Sequence, residues 1–163
     1  MKRQKRKFER PRKLWSKARI EEEKKIKQTY GLRRKKEIWK AESILRNYRR
    51  LARNLAARRD KDKEKILLGK LFRMGLINKE ANLDDVLALS IESILDRRLQ
   101  TLVFKKGIAS TTKQARQFIV HGHVAFDGRR VRWPSMLIPL GGEDKISFYE
   151  KSKIKQGVKI EKS

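Results

Sequence analysis

With 45 Lys and Arg against 19 Asp and Glu in 163 residues, the chain carries a formal charge of +26. Charge of that size repels itself in a compact state and calls for a polyanionic partner. The absence of cysteine excludes a disulfide framework and a thiolate zinc site, and no apolar run approaches the roughly 18 residues a membrane span needs.

The charge is unevenly spread: residues 1–59 hold 24 basic and 6 acidic side chains, residues 60–107 hold 10 and 8, and residues 108–163 hold 11 and 5. The amino-terminal third therefore dominates the electrostatics. No apolar signal-peptide core comes after the first residues, and a basic surface lacking a continuous apolar face does not suit a membrane. A cytoplasmic protein with no membrane partner is expected.

Residues 1–14 read as a basic arm with too little apolar content to order itself. The arm is expected to order on the polyanion through Lys2, Arg3, Lys5, Arg6, Lys7, Arg10, Arg12 and Lys13. Residues 15–92 read as a helical domain. Ser16 is placed to cap a helix to about Tyr30, with Glu21, Glu22 and Glu23 early and Lys24, Lys25 and Lys27 later, as the helix dipole favours. Gly31 ends it. A long helix then runs from Lys35 to about Arg59, with Ile38, Ala41, Leu45, Tyr48, Ala52 and Leu55 as an apolar seam that Ile44 and Leu51 widen. Arg46, Arg49, Arg50 and Arg53 crowd its other side, where each like-charge pair costs about 0.2–0.5 kcal/mol. Such crowding suggests an anion opposite.

Asp60 or Asp62 can cap a third helix from Lys63 to Met74, with Leu67, Leu68, Leu71 and Phe72 inward and Gly75 closing it. Gly69-Lys70 is no phosphate-binding loop: Glu64 stands where the earlier glycine is needed, and Leu71 replaces the metal-binding hydroxyl. Asn82 starts a short helical turn over Leu83–Leu89, and Ser90 can cap the next helix.

Residues 93–150 carry the punctuation of helix, turn, helix, hairpin and strand, which makes the whole chain α+β. Leu95, Leu99, Leu102 and Val103 form one apolar stripe, with Arg97, Thr101 and Lys105 well round from it. Gly107 suits the left-handed end of that helix. Thr111 and Gln114 have capping-box spacing, and Ala115, Phe118 and Ile119 face inward, leaving Lys113, Arg116, Gln117 and His121 for the other side. Beyond Gly122, His123–Phe126 and Arg129–Arg132 flank Asp127-Gly128, a dipeptide suited to a two-residue type I′ turn. Arg97, Arg98, Lys105, Lys113, Arg116, Arg129, Arg130 and Arg132 are then expected to share one phosphate-binding patch. On that reading, replacing Arg116 and Arg130 with Ala weakens binding of the phosphate-bearing partner and leaves unfolding almost unchanged. Residues 151–163 read as a basic tail.

The run "RLQTLVFKKGIASTTKQARQFIVHGHVAFDGRRV", and within it "ARQFIVHGHV" and "DGRRV", resembles the alpha-L RNA-binding domain. "PRKLWSKARIEEEKKIKQTYGLRRKKEIWKAESILRNYRRLAR" and "LDDVLALSIESILDRRLQT" extend the likeness over nearly the whole chain. Together they resemble the archaeal-type family of small-subunit ribosomal protein number four. The resemblance implies direct binding to small-subunit ribosomal RNA early in assembly, gripping a helical junction near the place where messenger RNA enters. Implied partners are that RNA, neighbouring small-subunit ribosomal proteins and messenger RNA; no homo-oligomer is expected. It also places the loop of His121 and His123 close to RNA. Many bacterial relatives carry an amino-terminal cysteine cluster that can hold zinc, which this chain lacks.

No enzyme and no cofactor are expected. Asp84-Asp85 and Glu143-Asp144 sit at a helix start and a turn, and nothing fixes His121 between Ser110 and Asp127 as a triad requires. An RNA-modifying enzyme would need a catalytic domain with its own sheet. A free-standing ribosome-rescue factor would not need the helical half.

Overall fold

A computed structural model describes residues 8–152. Seven helices and a small sheet succeed one another in order: α1 (Lys17–Thr29), α2 (Lys35–Arg58), α3 (Lys61–Arg73), α4 (Leu83–Ala88), α5 (Ile91–Asp96), α6 (Leu99–Lys105), α7 (Thr112–His121), β1 (Val124–Phe126), β2 (Arg129–Arg130) and β3 (Ile146–Phe148). None of the described helices is long and apolar enough to cross a membrane.

Two hydrophobic clusters organise these elements. The first joins α2 to α3, α4 and α5 through Ile38, Ala41, Leu45, Ala52, Leu67, Leu71, Val86, Ile94 and Leu95. The second joins α6, α7 and the sheet through Leu99, Leu102, Val103, Ala115, Phe118, Ile119, Val124, Ile138 and Ile146. The α2 seam packs as its spacing predicts, except that Leu51 is 42% exposed and lies outside it.

The largest departure from the sequence reading lies between Ser90 and Lys105. Ser90 does start a helix, its Oγ accepting from Ser93 N at 3.3 Å, but the rod breaks at Arg97-Arg98 into α5 and α6. The loop after β2 comes alongside the break, so Leu99 N donates to Met136 O and Ile138 N to Arg97 O at 2.8 and 2.9 Å. These bonds replace helical ones and satisfy the opened backbone. The single apolar stripe is thereby divided: Leu95 enters the first cluster, while Leu99, Leu102 and Val103 enter the second. Thr101, predicted to lie away from the core, is buried and donates to Leu95 O at 2.8 Å.

Most caps agree with the sequence. Asp60 accepts from Lys63 N, and Thr111 from Gln114 N at 3.1 Å. The Gln114 side chain turns to Ser110 instead of closing the box on Thr111, and the Ser16 side chain makes no capping bond. Asp127 and Gly128 both have positive φ, 53° and 73°, as a type I′ turn demands. Around that turn Ala125 pairs with Arg130 and Phe126 with Arg129. β1 is the central strand, antiparallel to β2 on one side and β3 on the other.

Candidate nucleic-acid interface

The two clusters are locked together by polar side chains that hold several of the residues predicted to bind phosphate. Gln100 is 1% exposed; its Nε2 lies 3.1 Å from Tyr30 O, 3.1 Å from Gly31 O and 2.9 Å from Thr112 O. Gly31 has φ +58°, and a Cβ there would meet Thr112 Oγ1 at 2.7 Å, so only glycine lets the α1–α2 turn approach α7 so closely. Glu37, on the first turn of α2, accepts from Arg98 at 2.7 Å and from both Arg116 Nη atoms at 3.1 Å. Burial alone would push the Glu37 carboxyl up; the hydrogen bonds and charges of Arg116 and Arg98 outweigh it and hold the group below the usual carboxylate range.

The structure therefore corrects the single patch predicted on the 93–150 module. Arg98 is 5% exposed and paired with Glu37. Arg97 donates to Ile138 O at 3.0 Å and is ion-paired with Glu143. Arg130 donates to Gly122 O and His121 O at 2.9 and 3.0 Å, and its guanidinium lies 5.7 Å from the Tyr149 ring centroid. A small module has few apolar atoms to bury, so its arginines satisfy loop carbonyls and span the two cores. Arg130 stays exposed while making these bonds, so replacing Arg116 and Arg130 removes hydrogen bonds within the fold as well as cationic charge, and some loss of stability is expected beside any loss of anion binding.

Other predicted contacts remain open to a ligand. Lys113, Gln117, His121, Arg129 and Arg132 are exposed, whereas Lys105 is paired with Asp96 at 3.2 Å and His123 is half-buried, its Nδ1 2.9 Å from Ser152 Oγ. On α2, Arg50 and Arg53 are exposed with no ion pair among the described residues. Arg46 pairs with Glu9, and Arg49 turns inward to donate to Leu89 O at 2.6 Å. These four arginines and Glu42 border a surface cavity of about 400 Å³. Arg10, Arg12 and Lys13 are exposed, and the arm is tethered just before them by Phe8, 6.0 Å from the Trp39 ring, and by Glu9 N donating to Ser43 Oγ. The predicted contacts at Lys2, Arg3, Lys5, Arg6 and Lys7 lie outside the described residues, as does the tail from residue 153.

Sequence reasoning missed a cavity of about 510 Å³ lined by Arg33, Arg34, Lys36, Lys40, Arg98 and Arg116, with Glu37, Phe8, Pro134 and Ser135. Its signal was visible as the uninterrupted cationic run Arg33-Arg34-Lys35-Lys36 after Gly31. What could not be seen is that residues 98, 116 and 134 close the other side.

A helical half bearing an open arginine face, joined to a small α-helical and three-stranded module, defines the class. Residues 2–96 match the family described as the ribosomal protein S4/S9 N-terminal domain, and residues 97–144 match the S4 domain. The chain is 47% identical to small ribosomal subunit protein uS4 of Methanothermobacter thermautotrophicus over 156 residues, covering 93% of this chain and 91% of that protein. It is 52% identical to uS4 of Methanococcus aeolicus, covering 89% and 84%, and 48% identical to that of Sulfurisphaera tokodaii, covering 95% and 90%. The chain belongs to the uS4 family of small-subunit ribosomal proteins, which are structural components rather than enzymes.

Proposed function

We propose that this protein is a structural constituent of the small ribosomal subunit in the cytoplasm, where it binds small-subunit ribosomal RNA directly and helps nucleate its assembly. The observation that carries the reading is the open face of α2, where Arg50 and Arg53 stand exposed without acidic partners among the described residues. A second set, Lys113, Arg129 and Arg132, is exposed on the other unit. The Gln100 and Glu37 bonds fix one set against the other, so the protein presents charge at a set angle. RNA helices hide their base edges in a deep, narrow groove, and a rigid pair of cationic surfaces selects a folded junction by shape instead.

On this reading residues 1–14 and 151–163 are basic extensions, 15–92 the helical domain and 93–150 the alpha-L module. Neighbouring ribosomal proteins and incoming messenger RNA complete the surroundings. Titrating the chain with its small-subunit ribosomal RNA at rising salt tests the proposal. About 7 phosphate contacts give a log–log slope of about −5 to −6; a slope near zero, or no binding at low salt, overturns it.

A further inference from the structure

The cavity lined by Arg33, Arg34, Lys36 and Lys40 lies outside the contacts assigned above. It holds six cationic side chains and one carboxylate, and Glu37 is already engaged by Arg98 and Arg116. Arg98, 5% exposed, also carries a buried Nε–H with no hydrogen-bond partner. Six cations gathered around one already engaged carboxylate favour an anion in this place.

The neighbouring turn indicates what the anion is attached to. Trp133 precedes cavity-lining Pro134 and is 69% exposed. Its turn is held by Met136 N donating to Trp133 O at 3.2 Å, and by Leu99 N and Gln100 N donating to Met136 O and Pro134 O at 2.8 and 3.4 Å. A large indole is thus displayed in water on a backbone bound to α6. Aromatic faces of this kind stack nucleobases with little regard to sequence, and arginine and lysine take the phosphate.

We propose that the cavity and Trp133 form a site for one unpaired nucleotide, its phosphate among Arg33, Arg34, Lys36 and Lys40 and its base stacked on the indole. Bases within a duplex are covered above and below, so the nucleotide must come from a bulge, loop or junction. The inference rests on RNA being the ligand of the chain, and it adds a base contact to an interface otherwise made with phosphates.

The test compares a perfect RNA duplex with the same duplex interrupted by a short adenine bulge, using the full chain carrying Trp15→Phe to lower background fluorescence. The bulged RNA should bind roughly 5-fold or more tightly and quench tryptophan emission. Trp133→Ala should abolish the preference and the additional quenching that the bulge produces over the duplex, without altering duplex affinity, while Trp133→Phe keeps part of the preference. Equal affinity for the two RNAs, or a preference that survives Trp133→Ala, overturns this proposal alone. Failure to bind either RNA at low salt overturns it together with the ribosomal RNA reading.

Discussion

On α2 the outward arginines Arg50 and Arg53 form no ion pair among the described residues, whereas Arg97, Arg98, Arg116 and Arg130 of the module are all bound to carbonyls or carboxylates of this chain. Both regions carry several arginines yet use them differently. A 24-residue helix buries one face and leaves the other to solvent, so Arg50 and Arg53 stay available even though like charges along it repel one another. The module has two short helices and strands of two or three residues. It recruits guanidinium groups to fasten its loops and to join the other core. Arginine content alone is a poor guide to an RNA interface; what matters is whether the fold has already found each guanidinium a partner.

That contrast can be broken in several places. The largest effect is expected from Phe118→Ala. Phe118 is 6% exposed and packs against the Phe148 ring at 6.2 Å, and its loss should cost about 3–5 kcal/mol in urea unfolding. A near-neutral result would mean that the module core is not where the stability lies.

Next comes Glu37→Ala, which strands Arg98 and Arg116 and should cost about 3 kcal/mol, toward the low end for a buried pair because the site borders an open cavity. The same carboxylate sets a pH dependence. Its folded pKa is held below the ordinary value of 4.5, so its contribution is fully present above that value and is lost as pH falls through the lower folded one. Acid unfolding curves of Glu37→Gln should be flatter in that range than those of the wild type. Equal slopes would remove Glu37 from the account of how the halves are joined.

A smaller change in stability should accompany Arg130→Ala, about 1–2 kcal/mol for the hydrogen bonds lost at the Gly122 and His121 carbonyls. The smallest belongs to Arg50→Ala with Arg53→Ala. Stability should stay within about 0.5 kcal/mol, while the salt slope of RNA binding falls by about 1.4–1.8 for the two lost phosphate contacts. If the α2 pair destabilised the fold as much as Arg130→Ala, the distinction between open and engaged arginines would fail.

Local chemistry wrote much of this protein directly into its sequence. Periodicity located α2 and its seam, the Thr111 hydroxyl marked the start of α7, and Asp127-Gly128 specified a hairpin turn, because each depends on residues within a turn or two of one another. The partners of the arginines were not legible in the same way. Arg116 meets Glu37 across 79 positions and Arg97 meets Ile138 across 41, and no local spacing reports such encounters. The break at Arg97-Arg98 was equally hidden, since an uninterrupted stripe from Leu95 to Val103 fits one straight helix. Only when residues 134–138 come to lie beside it does the stripe divide between two cores. Charge, helix periods and turn types are properties of neighbours along the chain, and the sequence by itself determined them; which cations remain free to bind is a property of neighbours in space, and only the tertiary structure decided it.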